Sequence, residues 1–108
     1  MNLSDKKCIP CEAGGTALTQ EEVAFYAKDV PRWTIADNSR KIMRKFDLED
    51  FQSSLKFVNR IGELAESEGH HPDIIINYNK VTLELTTHAV GGLSVNDFIV
   101  AAKIDRMS

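Results

Sequence analysis

His70, His71 and His88 are the only histidines in a chain of 108 residues. An unperturbed imidazole titrates near pH 6.5, so a histidine cluster suits general acid-base catalysis at cellular pH. Pro72 biases His71 toward extended backbone. Neighbouring extended residues point in opposite directions, so the two adjacent imidazoles serve one pocket only from different walls of it. A zinc centre of three imidazoles and Glu66 is the rival reading. Paired zinc ligands, however, are usually separated by two or more residues so that both turn inward, and a tandem pair followed by proline suits a metal poorly.

The elements that must position these groups are legible in the hydrophobic periodicity. Thr19-Gln20-Glu21-Glu22 reads as a capping box that opens a short helix with Val23, Tyr26, Ala27 and Val30 on one face, stopped by Pro31. Residues 33–35 and 41–46 flank Asp37-Asn38-Ser39 as a hairpin. Asp47 is read as the cap of the longest helix, which carries Leu48, Phe51, Leu55, Val58, Gly62 and Ala65 at helical spacing and ends at Gly69. Phe57, Ile61 and Leu64 form a second apolar edge, read as surplus surface for a helix or subunit contact.

Residues 74–78 and 81–87 flank Asn79-Lys80 as a second hairpin. Tyr78 continues the alternation of Ile74 and Ile76 and reads as a packing residue of the pocket wall. Antiparallel closure returns the end of the second strand to the start of the first, which carries His88 toward His70 and His71. Gly91-Gly92 makes a turn that admits close backbone approach to a ligand. Ser94 then caps the last helix with Asp97 at the capping-box position. The order αββαββα implies an α+β fold, a four-stranded antiparallel sheet with three helices packed on one face.

This length is one domain, and 43% hydrophobic with 27% charged residues is globular composition. Residues 1–18 lack periodicity and read as an extended arm before a domain at 19–108. The balance of 13 basic and 16 acidic residues argues against nucleic acid as a direct partner. The stretch Arg40-Lys41-x-x-Arg44-Lys45 reads as the solvated face of a strand. The polar residues 1–7 and the absence of a long apolar run make the cytoplasm the default location, with no membrane association. A domain this small also gains from burying more surface, so a homo-oligomer is expected. Cys8 and Cys11 form a lone CxxC, open to a bland, a half-zinc or a redox reading.

Glu66, His70-His71-Pro72, Tyr78, His88 and Asp97 together resemble the motif of the pterin-4a-carbinolamine dehydratase family, at matching spacings. Trp33, Phe46, Phe51, Tyr78-Asn79-Lys80-Val81, Thr87-His88 and Gly91-Gly92-Leu93 are similar as well, so the resemblance spans about residue 19 to the end. It implies a pterin substrate, a tetrahydropterin bearing a hydroxyl at C4a, which loses water to give the quinonoid dihydropterin in tetrahydrobiopterin recycling. A related role in molybdenum cofactor metabolism stays open. Neither metal nor cofactor is implied. By carry-over, His70 and His88 are the acid-base pair, and His71 holds substrate and shares the work. Glu66, Asp97 and Thr87 are substrate-binding, a carboxylate meeting the paired N–H donors of the amino-pyrimidinone edge. Where some family members carry an acid, this chain has Gly69. The expected homo-oligomer is a dimer or tetramer, and the resemblance leaves room for a protein partner, because some members bind a homeodomain transcription factor.

Overall fold

The computed structural model describes residues 3–8 and 16–107. Cys11 and Gly14-Gly15 lie outside the described residues. Three helices and four strands follow in the order α1 (Gln20–Ala27), β1 (Thr34–Ala36), β2 (Lys41–Asp47), α2 (Phe51–Glu68), β3 (Asp73–Asn77), β4 (Lys80–Leu85) and α3 (Val95–Met107). The strands form one antiparallel sheet in the order β1-β2-β4-β3. This is the α+β layout that the periodicity implies.

Register decides which face is buried. Ile35, Ile42 and Leu85 lie abreast, as do Arg44, Leu83 and Ile74, and Phe46, Val81 and Ile76. Ile42, Phe46, Val81, Leu83 and Leu85 from that face join Val23 of α1, Phe57 and Ile61 of α2, and Phe98, Ile99 and Ile104 of α3 in one core. Burying each of the larger aliphatic side chains stabilises the fold by about 1.5–3 kcal/mol. The other face carries Met43, Lys45, Thr82, Glu84 and Ile75. It is held by ion pairs from Lys41 to Glu84 and from Lys80 to Asp47.

Thr19 forms the capping box of α1: its hydroxyl accepts from the Glu22 amide and its own amide donates to Glu22. The cap of α2 is Asp50 and not Asp47. Asp47 stays in β2, paired with Lys80 at 2.8 Å, and the Leu48 amide donates to the Asn79 carbonyl before the chain leaves the sheet. The Asp50 carboxylate accepts the Ser53 amide at 2.7 Å, and this bond holds its carboxyl below the ordinary aspartate range.

The core face of α2 is rotated relative to the sequence reading. Ser54, Phe57, Ile61 and Ala65 face the core, whereas Phe51 and Leu55 are 46% and 41% exposed. Two apolar faces at helical spacing compete for the sheet, and the sheet takes the one with the large Phe57 and Ile61 side chains. Tyr78 also departs from its expected place. It sits in the β3–β4 turn with φ +53°, two-thirds exposed, and does not line the cleft that holds the histidines. The described part of the N-terminal arm is not extended: Leu3–Asp5 is a 3-10 turn and Leu3 is buried in the core. Among the described residues, no helix is long and apolar enough to cross a membrane.

Candidate active site

The end of α2 delivers the first imidazoles. Gly69 adopts the left-handed conformation, φ +67°, which terminates the helix without the strain that a side chain would add. The His70 amide closes the last turn on the Ala65 carbonyl, and His71-Pro72 then leads into β3. Beyond β4, Thr87 and Gly92 bridge as an antiparallel pair, their backbone bonds closing a tight loop. His88 begins the 3-10 turn His88–Val90 inside that loop, and Gly91, φ +71°, ends it. Gly92 serves chain packing: a Cβ there would lie 2.9 Å from the Ala17 side chain, so the absent side chain makes room for Ala17.

His70, His71 and His88 line one cleft of about 510 Å³, together with Thr86, Thr87, Cys8 and Glu68. His70 is anchored and the other two are not. Its Nε2 lies 2.6 Å from Oδ1 of Asp97, a fully buried carboxylate in the first turn of α3. Oδ2 of Asp97 accepts from the Thr87 hydroxyl at 2.7 Å and the Ser94 amide at 2.9 Å. The Thr87 proton is committed to Asp97, so the Ser94 hydroxyl, 2.8 Å away, donates to Thr87 Oγ1. With Asp97 accepting, Nε2 of His70 carries the hydrogen and Nδ1 is left to exchange protons.

Asp97 is therefore not available to bind a ligand edge, contrary to the reading of it as substrate-binding. Both oxygens are occupied and the side chain has no exposed surface. Thr87 keeps its place on the cleft wall, but its hydroxyl is spent on Asp97. Glu66 stands beside His71 and not in the cleft lining. Its side chain is 82% exposed, does not line the cleft, and lies 3.5 Å from His71 Nε2 on the outside of the fold. An exposed pair of this kind contributes little.

The carboxylate that does line the cleft is Glu68, which sequence reading missed. Its side chain is 8% exposed, accepting from the Cys8 amide at 2.9 Å and pairing with Lys103 at 3.1 Å. The Cys8 amide, and then Lys103, hold its carboxyl below the glutamate reference value of 4.5. A carboxyl depressed in this way adds stability above its ordinary pKa, and that contribution fades as the pH falls through the lower folded value. The signal was available: Glu68 continues the buried stripe Phe57, Ile61, Ala65 at helical spacing. Among the described residues, no three His, Cys, Asp or Glu side chains are arranged to hold a metal ion.

An antiparallel sheet backed by three helices is also the fold of a solved structure from Brucella melitensis described as a transcriptional coactivator/pterin dehydratase. The two superpose with a TM-score of 0.79 at 28% identity, over 85% of this chain and 98% of that one. The class is thus that of small α+β hydro-lyases. The family model described as pterin 4 alpha carbinolamine dehydratase matches residues 16–107, and the chain belongs to that family. Relatives provisionally named pterin-4-alpha-carbinolamine dehydratase include one from Chlorobaculum tepidum, 43% identical over 97% of this chain and 96% of its own length. Another, from Methylococcus capsulatus, is 44% identical over 99% of this chain and 94% of its own.

Proposed function

We propose that the chain removes water from 4a-hydroxytetrahydrobiopterin, with His70 and His88 exchanging the protons and His71 holding the ring. The observation that carries this reading is the convergence of all three imidazoles on one cleft, one of them buttressed by a buried carboxylate. One imidazolium gives its proton to the departing C4a hydroxyl, which leaves as water. A neutral imidazole takes the proton from N5, and the N5 electron pair closes the C4a=N5 double bond. Electrons and atoms balance without a redox partner, so no cofactor is needed for the step. His70, held through Nε2, presents Nδ1 in a fixed direction, whereas the exposed His88 has room to move with the substrate. The product belongs to tetrahydrobiopterin recycling, and the cytoplasm is where that substrate arises.

Stopped-flow absorbance of 4a-hydroxytetrahydrobiopterin, generated by a hydroxylase in the cell, decides the matter. The expected result is decay faster than the spontaneous rate and proportional to the amount of this protein. Decay at the spontaneous rate overturns the reading.

The chain also self-associates in this reading, as a dimer or tetramer. Phe51 and Leu55 are neighbours one turn apart on α2 and are among the large apolar side chains left exposed. Sedimentation equilibrium is expected to return at least twice the chain mass, and Leu55→Glu to shift it toward the monomer. A monomeric mass for the unmodified protein at micromolar concentration contradicts this.

A further inference from the structure

We propose that residues 3–8 hold Cys8 as a built part of the catalytic cleft wall, and that Cys8 sets how wide a ring system the cleft admits. The inference rests on the pterin reading of the cleft and names a specificity residue for it. This segment precedes residue 16, where the match to the family model begins.

Three ties hold the segment against the domain. The Leu3 side chain is buried in the core beside α3, 2% exposed. Arg106 Nη1, near the end of α3, spans Ser4 Oγ at 3.2 Å and Asp5 Oδ1 at 3.3 Å. The Cys8 amide donates to Glu68 Oε1, and its thiol lies 3.6 Å from the Asn96 carbonyl, which it can reach as a weak donor. Cys8 is thereby fixed through both backbone and side chain at the cleft it shares with the histidines. The direct ties of this anchor, Glu68 and Asn96, are themselves largely buried, and Lys103 backs Glu68.

The chemistry of the wall follows from the state of the thiol. Burial, reinforced by the neighbouring Glu68 charge, pushes Cys8 up to about 12, so at neutral pH it is a thiol and not a nucleophilic thiolate. What it offers a ligand is a small, neutral, polarizable surface, well suited to the edge or face of a flat heteroaromatic ring. Its volume, rather than its reactivity, is the property that selects.

The test is a graded series at this position: Cys8→Val, Cys8→Met and Cys8→Phe. KM for 4a-hydroxytetrahydrobiopterin is expected to rise with side-chain volume, reaching about tenfold or more for Cys8→Phe, a loss of about 1.4 kcal/mol or more. Over the series kcat should change less than threefold, because the histidines stay in place. The dissociation constant of 7,8-dihydrobiopterin, measured by calorimetry, should follow the same order. Cys8→Val, the smallest change, keeps the test readable if the larger side chains destabilise the fold. A role in folding alone would move the melting temperature without grading KM, and that result overturns the inference while leaving the dehydratase reading intact. A native protein that neither accelerates dehydration nor binds dihydrobiopterin overturns both.

Discussion

Asp97→Asn is expected to lower kcat by about 10²–10⁴ while the chain stays folded. The argument is one of donors and acceptors. One side of Asp97 faces two donors, the Thr87 hydroxyl and the Ser94 amide, and the other faces His70 Nε2. An asparagine must turn its carbonyl oxygen to the two donors, which leaves its NH2 group against the imidazole. That group donates to Nε2, and the ring hydrogen moves to Nδ1, the nitrogen meant to exchange protons with substrate. The imidazole keeps its position and loses its function. KM should change little, because Asp97 does not touch the cleft. Nitrogen chemical shifts of His70 would show the exchanged tautomer directly, and a kcat close to that of the native protein would refute the positioning role. Asp97→Ala is a different experiment. It leaves the Ser94 amide, the Thr87 hydroxyl and the His70 ring without their shared acceptor, and should cost about 3–5 kcal/mol in denaturant unfolding.

The buried role of Asp97 marks where sequence reading reaches its limit. The capping-box spacing from Ser94 was legible, and half of that box exists: the Asp97 carboxylate accepts the Ser94 amide at 2.9 Å. The Ser94 hydroxyl also reaches Thr87, so the start of the helix is tied to the cleft wall. Spacing within a helix start cannot reveal that a histidine 27 residues away competes for the same carboxylate. Strand alternation and helix periodicity are local signals, and they gave the αββαββα order and the α+β layout correctly. The choice between two apolar faces of α2 depends on which one meets the sheet. Tyr78 failed as a strand residue because a tight turn took it to positive φ, and alternation is blind to where a strand stops.

The same distinction explains the carboxylates. Glu66 and Glu68 lie two residues apart on one helix, which turns them to different sides. Their positions in the stripe of Phe57, Ile61 and Ala65 were enough to tell them apart, had that stripe been read as the core face. Cys8 carried no such signal. It lies in a segment without periodicity, and its place at the cleft depends on Leu3 reaching the core and on Glu68 receiving its amide.

The second large effect concerns how the imidazoles divide the work. His70→Ala and His88→Ala should each lower kcat by about 10²–10⁴, the usual contribution of a positioned acid or base. If the two protons move in one coupled step, removing either group disables the step. The double variant should then lose about as much as the worse single variant, and not the product of both losses. His71→Ala should behave otherwise, raising KM about tenfold through a lost ligand hydrogen bond, with a smaller fall in kcat. Its geometry supports this contrast: His71 has only the exposed, 3.5 Å Glu66 contact, whereas His70 is locked to a buried carboxylate. Single-turnover rates of the four proteins separate the cases. A double variant whose loss equals the product of the single losses means that the two histidines act in separate steps. A His71→Ala protein with the deepest fall in kcat would transfer the catalytic role to the residue assigned to holding the ring.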